Sequence, residues 1–218
     1  LDAPVTLSLM GLGAFPASNE AFTGMIGMHG TKTTSLAIKN CDLLIAIGAR
    51  FSDRVICDPG TFARNAKVLH IDVDSAEIDK NIKTDAYIIG DAKAVLDELN
   101  KSLSKQKHPE WMKEIAEWKA EYPVKYKGSE KFSPEDIIKT IKSAVDEDTY
   151  LVTDVGQHQI WAAQFFDVDK PRHFVTSGGL GTMGFGLGAA IGTQVANPDS
   201  TVINITGDGC FHMNLQEL

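Results

Sequence analysis

Val202-Ile203-Asn204-Ile205-Thr206-Gly207-Asp208-Gly209 sets the fold. A short apolar run of strand character leads directly into Gly-Asp-Gly. In open α/β sheets, ligands bind at the carboxyl ends of the strands. The two glycines let backbone approach an anionic group, and the aspartate can hold a divalent cation. A tight turn after a strand is the other reading, because Asp-Gly is a common turn dipeptide.

Upstream lies Ser177-Gly178-Gly179-Leu180-Gly181-Thr182-Met183-Gly184-Phe185-Gly186. Its glycines suit close backbone approach to a ligand followed by close packing of a helix. A flexible loop before a helix with a small-residue face is the alternative. The segment is a poor match to the G-x-G-x-x-G dinucleotide fingerprint. Further back, Asp154-Val155-Gly156-Gln157-His158 ends another strand. Gln157 and His158 fall at a helix start, which suits an anion, although a polar cap explains the histidine equally well.

Strand and helix signals alternate around these segments. Strands are expected at 150–154, 173–175 and 201–206, and helices at 157–166 and 184–195. Ser133-Pro134-Glu135 opens a helix with Ser133 as N-cap and Pro134 in the first turn. Its apolar face is Ile137, Ile138, Ile141 and Val145. The first half repeats the pattern. Leu43 to Ile47, Val68 to Val73, Tyr87 to Ile89 and Val5 to Leu9 read as strands. Helices are expected at 33–39, 75–81 and 92–103, the last with Asp91 as N-cap. Continuous apolar runs of this length suit parallel strands buried on both faces. Strand–helix alternation makes this an α/β chain of two doubly wound parallel-sheet units.

The expected divisions are residues 1–104, a connection at 105–132 and a second unit at 133–218. The connection holds one helix opened by Pro109, with Trp111, Ile115 and Trp118 on one face for packing, and a charged, turn-rich stretch from Lys125 to Lys131. The chain begins at Leu1 directly before a strand and stops at Leu218 in what reads as a helix start, so a fragment is expected.

The chain has 218 residues and a formal net charge of −8, with 43% hydrophobic and 23% charged residues. This is ordinary globular usage, not that of a disordered or rod-like chain. The acidic balance argues against a nucleic-acid or membrane-surface binder. No apolar run reaches the ~18–20 residues that span a bilayer. Cys41, Cys57 and Cys210 are odd in number and widely spaced, so neither a disulfide framework nor a structural zinc site is expected. A reduced intracellular compartment is the simplest reading.

Taken together, the three glycine-bearing segments resemble the cofactor-binding domain of thiamine diphosphate enzymes. Val155-Gly156-Gln157-His158-Gln159-Ile160-Trp161-Ala162-Ala163-Gln164 and Ser177 to Gly184 resemble one family in particular, the large catalytic subunit of acetolactate (acetohydroxyacid) synthase. Gly24-Met25-Ile26-Gly27-Met28-His29-Gly30 and Gly48-Ala49-Arg50-Phe51-Ser52-Asp53-Arg54-Val55 resemble that family's central, FAD-binding domain. The resemblance covers nearly the whole chain. It implies a Rossmann-like central domain and an incomplete thiamine-diphosphate-binding domain.

The resemblance also implies roles. Asp208 matches the Mg²⁺ ligand that bridges to the diphosphate, flanked by Gly207 and Gly209. Val155, Gly156, Gln157 and His158 match the diphosphate-contacting segment. Met183 matches the apolar wedge that bends thiamine so that its amino group meets the C2 proton, and Gly181 a backbone contact to the aminopyrimidine. Cys210 matches a pocket-lining position where small residues are usual. For FAD, the matched positions are Ser8, Leu9 and Met10; Met28 and His29; Gly48, Ala49, Arg50, Asp53 and Val55; Asp72, Val73 and Glu77; and Gly90, Asp91 and Ala92. An acid after a strand can accept ribose hydroxyls, although Asp72 also reads as a solvated strand end. Arg54 matches the arginine that reaches the keto-acid carboxylate, where a planar guanidinium gives a bidentate match. A surface arginine paired with Asp53 or Asp58 is the alternative.

Ser52 stands where the family pattern has an acid. No segment matches the domain carrying the glutamate that activates the aminopyrimidine. The family's second metal ligand, an asparagine, and the first strand and helix of its FAD domain also find no match, so the chain alone is expected to be inactive. The implied activity is thiamine-diphosphate-dependent decarboxylation of pyruvate and condensation with pyruvate or 2-ketobutyrate, as a cytoplasmic transferase in branched-chain amino-acid biosynthesis. Implied partners are 2-keto acids, further copies as a homodimer or tetramer, and a regulatory small subunit. Rival readings are a pyruvate-oxidase-like enzyme with redox-active FAD, and a non-catalytic nucleotide-binding module.

Overall fold

The computed structural model describes residues 1–126, 128 and 132–218. In chain order the elements are β1 (Val5–Leu7), β2 (Phe22–Met25), α1 (Lys32–Asn40), β3 (Leu43–Ile47), α2 (Asp53–Ile56), β4 (Lys67–Asp72), β5 (Ala86–Ile89), α3 (Ala92–Ser102) and α4 (Pro109–Glu121). They continue as α5 (Pro134–Ser143), β6 (Tyr150–Thr153), α6 (Gln157–Phe165), β7 (Phe174–Thr176), α7 (Phe185–Ala196), β8 (Val202–Ile205) and α8 (Asp208–Met213). Every paired strand runs parallel. This is the doubly wound α/β class expected from the alternation.

The chain packs as two compact units. One comprises residues 1–4 and 26–122, the other 5–25 and 123–218. This grouping differs from the expected boundaries at two places. The β1–β2 pair belongs to the second unit. Residues 105–122 belong to the first, because α4 packs on α1 and Asp2 accepts from the His108 N–H at 3.0 Å. Part of the charged stretch from Lys125 to Lys131 lies outside the described residues.

The first unit is built on the sheet β3-β4-β5. Leu44 pairs with Val68 and Ala46 with His70, so the apolar runs align without slippage. Ala46, Phe51, Ile56 and Val68 form its buried cluster. The α3 start is fixed by Asp91, whose side chain accepts from Ala94 N–H at 3.0 Å. Pro109 opens α4, where the missing proline N–H costs nothing. Trp111 and Trp118 meet edge-to-face at 5.6 Å. The helix expected at 75–81 is only a 3-10 turn, Ser75–Glu77. It stops there because Asp79 adopts φ 60° and its carboxylate accepts the Thr84 N–H instead.

The second unit carries β7-β6-β8 as one sheet and β1-β2 as another. Ser133 is the N-cap of α5 as expected, and Asp136 completes a reciprocal capping box with it. Ile138, Leu151, Ala162, Phe165 and Phe166 make the core between α5, β6 and α6. Gly207-Asp208-Gly209 is not a turn. Gly207 is the N-cap, and Asp208 and Gly209 lie in the first turn of α8. Among the described residues, no helix is long and apolar enough to cross a membrane.

Candidate functional site

β6, β7 and β8 end side by side, and the loops leaving them converge. The His158 ring lies against both Gly156 and Gly207, where a Cβ would sit 2.8 and 3.1 Å from its Cε1. A side chain at Gly156 would force the ring to shift, and one at Gly207 would press it by a few tenths of an ångström. The Met183 methyl extends to Gly209, 3.7 Å from where its Cβ would be. Gly181 faces Val155 at a similar distance. Cys210 Sγ donates to the Val155 carbonyl at 3.2 Å. Val155, Gly156, His158, Gly181, Met183, Gly207, Gly209 and Cys210 therefore form one cluster at the carboxyl edge of the sheet. Gln157 and Asp208 sit in the first turns of α6 and α8, exposed at that edge.

Electrostatics within the cluster favour neutral side chains. Burial lowers the pKa of His158, partly opposed by the nearby Asp154 carboxylate. Its Nε2 is buried and has no hydrogen-bond partner among the described residues. Burial, reinforced by Asp154, raises the pKa of the Cys210 thiol. Cys210 is 3% exposed and lacks the electropositive surroundings of a nucleophile.

Two residues outside the expected site hold it together. Asp154, 1% exposed, accepts backbone N–H groups from Val155, Gly184 and Gly186 at 2.9–3.0 Å. Gln159 on α6 donates to Thr176 Oγ1 of β7 at 2.7 Å, and Thr153 of β6 shares that oxygen at the same distance. Asp154 also fills the positive end of α7 with the protein's own charge. The α6 start keeps Gly156 and Gln157 exposed.

In the first unit, the carboxyl ends of β3, β4 and β5 bring Gly48, Asp72 and Gly90 together. Gly48 N–H donates to Ile71 and Gly90 N–H to Asp72, at 2.8 and 2.9 Å. Asp72 is 8% exposed, and its Oδ1 accepts the Asp74 N–H, so the solvated-end reading fails. Beneath it, His70 is fully buried with Nε2 3.6 Å from Asp72 Oδ2 and its ring edge-on to Phe51. Ile47, Val73 and Ile89 stand exposed along this edge. Glu77 pairs with Lys80 at 2.7 Å. Arg54 reaches Asp53 at 3.8 Å and Met28 Sδ at 3.9 Å. Asp58 caps its own turn through Gly60 and Thr61. Ala49, Arg50, Val55 and Ala92 follow the same strand ends, and His29 adjoins Met28. Ser8, Leu9 and Met10 belong to the second unit, where Met10 and Leu9 pack on Gly178.

Two family descriptions match in the order in which the units' strand edges occur. Residues 1–99 match "Thiamine pyrophosphate enzyme, central domain", and residues 154–218 match "Thiamine pyrophosphate enzyme, C-terminal TPP binding domain". The chain belongs to the thiamine pyrophosphate enzymes. Within that class it is 44% identical, over its whole length, to the acetolactate synthase isozyme 3 large subunit of Escherichia coli (strain K12). It is 48% identical to the acetolactate synthase large subunit of Cyanidium caldarium, and 48% to a probable one from Methanocaldococcus jannaschii. The chain spans about two-fifths of the length of these relatives, 38–39% in each case.

Proposed function

We propose that this chain carries the flavin-side and diphosphate-side walls of an acetolactate synthase catalytic subunit. The observation that supports the reading most is the single cluster of Gly156, His158, Met183, Gly207 and Gly209 beside Asp208, in a chain 44–48% identical throughout to acetolactate synthase large subunits. On this reading, residues 1–104 form the central nucleotide domain and 133–218 the diphosphate domain.

Thiamine diphosphate, when bound, supplies an electron sink for decarboxylating a 2-keto acid. The exposed α6 start, with Gly156, Gln157 and His158, would hold the diphosphate through backbone N–H groups. Burial lowers the pKa of His158 and so disfavours its charged form there, and on this reading the ring serves by packing. Asp208 would hold Mg²⁺. Among the described residues no three His, Cys, Asp or Glu side chains gather to form a complete site. One carboxylate fits an ion that takes its remaining oxygens from a diphosphate and water. Met183, 45% exposed, would present its thioether to the thiamine rings.

The β3–β5 edge fits the adenosine side of FAD. Buried Asp72 is an acceptor for ribose hydroxyls, and exposed Ile47, Val73 and Ile89 offer apolar surface to flat rings. Arg54 would bind the carboxylate of the keto acid. The proposed substrates are pyruvate and a second 2-keto acid. The proposed assembly is a cytoplasmic homodimer or tetramer with a regulatory small subunit.

Product analysis tests the reading. The full-length protein carrying this chain, given pyruvate, Mg²⁺, thiamine diphosphate and FAD, is expected to form acetolactate, read as acetoin after acid treatment. Acetyl phosphate or peroxide in its place would overturn it in favour of an oxidase.

A further inference from the structure

Gly184 is held from both sides. Its N–H donates to Asp154 Oδ1 at 2.9 Å, and its carbonyl accepts from Asn214 Nδ2. Its φ of 87° is a conformation that suits glycine. Two residues on, Gly186 N–H donates to the other oxygen, Asp154 Oδ2, at 2.9 Å. The chain also packs tightly here, since a Cβ on Gly186 would lie 2.8 Å from both Asp154 Oδ2 and Asn204 Oδ1. Asp154 thus binds the entry of α7 with two separate oxygens. Thr206 Oγ1 adds a longer contact at 3.5 Å. Met183 is the residue immediately before this anchored turn.

Burying a carboxylate is unfavourable unless its oxygens are fully hydrogen-bonded. A serine or asparagine could satisfy one of the two glycine N–H groups, not both. We propose that Asp154 is a positioning residue that sets the direction of Met183 over Gly209 by fixing the Gly184–Gly186 turn. The proposal rests on the reading of Met183 as the thiamine wedge. Its mechanical part, Asp154 controlling Met183, stands on these contacts alone.

The test uses ¹³C-methyl-methionine NMR on the full-length protein without cofactor, with the Met183 resonance assigned through Met183→Leu. Asp154→Asn is expected to move or broaden the Met183 signal while Met25 and Met112 stay in place. Asn214→Ala, which removes the opposite anchor, is expected to do the same and covers the case where Asp154→Asn does not fold. An unmoved Met183 signal in a folded variant overturns the proposal. Turnover supplies the second readout. Asp154→Asn should lower kcat about 10- to 100-fold, the scale of a positioning error near 1 Å. The KM for thiamine diphosphate should change less than kcat does, because Gly156, Gln157 and His158, proposed to hold it, are not themselves substituted and Asp154 meets that segment only at its first residue, Val155, and through its charge on His158. In a Met183→Ala background the same substitution should have little further effect, since contacting residues are non-additive. Additive losses, or parallel loss of cofactor binding, would overturn the positioning role. Absence of acetolactate from the wild-type protein would instead count against the enzymatic reading and leave the NMR outcome to decide the mechanical one.

Discussion

The N–H of Met28 donates to the carbonyl of Arg54 at 2.9 Å, tying the loop after β2 to the end of α2. The bond exists because Gly27 has φ 106° and no side chain; a Cβ there would run into that same carbonyl oxygen and lie 3.1 Å from Val55 Cα. Two segments singled out separately in the sequence are thus one structure. The Arg54 side chain that projects from it is 74% exposed and, among the described residues, makes loose contacts to Asp53 and Met28.

Gly27→Ala should therefore destabilise the chain. An unfavourable φ costs about 1 kcal/mol or more, and loss of the Met28–Arg54 bond adds about 0.5–1.5 kcal/mol. Gly192→Ala is the contrast. It sits in α7 with open space around it, so alanine should stabilise by about 0.5–1 kcal/mol. Urea unfolding of both variants measures the difference. Equal midpoints would show that the Gly27 contact carries no energy.

Arg54→Ala should leave the fold intact, because its side chain is exposed and its structural contact is the backbone carbonyl. Losing one charged hydrogen-bonding group costs about 1.5–3 kcal/mol, or about ten- to a hundredfold in kcat/KM for pyruvate. Arg54→Lys should recover little of this, since an ammonium cannot make the planar bidentate match. Steady-state kinetics of the full-length protein decide it. Unchanged kcat/KM removes Arg54 from the substrate site.

Much of this arrangement is legible in the residues, and what is not has a physical cause. Leu43 to Ile47 reads as a parallel strand because its whole run is apolar, and it is one, but burial on both faces is not met: only Ala46 is buried, and Leu43 and Ile47 are exposed. Asp91, Ser133, Pro109 and Pro134 mark helix starts because capping is local chemistry. Phe22–Met25 escapes notice because Gly24 interrupts a short strand, and α2 because it is a single turn. Asp154 and Gln159 sit inside a quoted motif, yet nothing local reveals their work. Asp154 meets Gly184 across 30 residues of sequence, and only tertiary folding makes that contact. The glycines of α7 divide the same way: Gly186 is a contact, whereas Gly188 and Gly192 face open space.

Burial of His158 gives a pH dependence. Its folded pKa lies below the ordinary value of 6.5, so the unfolded chain binds the proton more readily. Stability should be full above pH 6.5 and fall as pH drops below it towards the folded pKa. His158→Gln removes that component. Its denaturant midpoint should fall less between pH 7 and pH 5 than that of the parent. Parallel midpoint-versus-pH curves would show that burial does not govern this histidine.

Asp208 separates the two proposed cofactors. It stands exposed in the first turn of α8, in the second unit, whereas Asp72 and the β3–β5 edge lie in the first. Mg²⁺ prefers near-octahedral oxygen ligands and is usually held by one or two carboxylates plus phosphate oxygens and water. Removing the carboxylate at this edge should therefore abolish Mg²⁺-dependent retention of thiamine diphosphate. The fold has little reason to suffer, because the side chain is exposed, although an acid in the first turn of a short helix contributes about 0.3–1 kcal/mol. Asp208→Asn keeps the shape and one oxygen, so it should retain weak binding at raised Mg²⁺, while Asp208→Ala retains none. FAD binding should be unchanged in both. The measurement is thiamine diphosphate and flavin content of the full-length variants after gel filtration, with and without Mg²⁺. An Asp208→Ala protein that keeps thiamine diphosphate with the parent's Mg²⁺ dependence rules out Asp208 as the ligand. One that loses both cofactors together shows that the substitution acts through the fold.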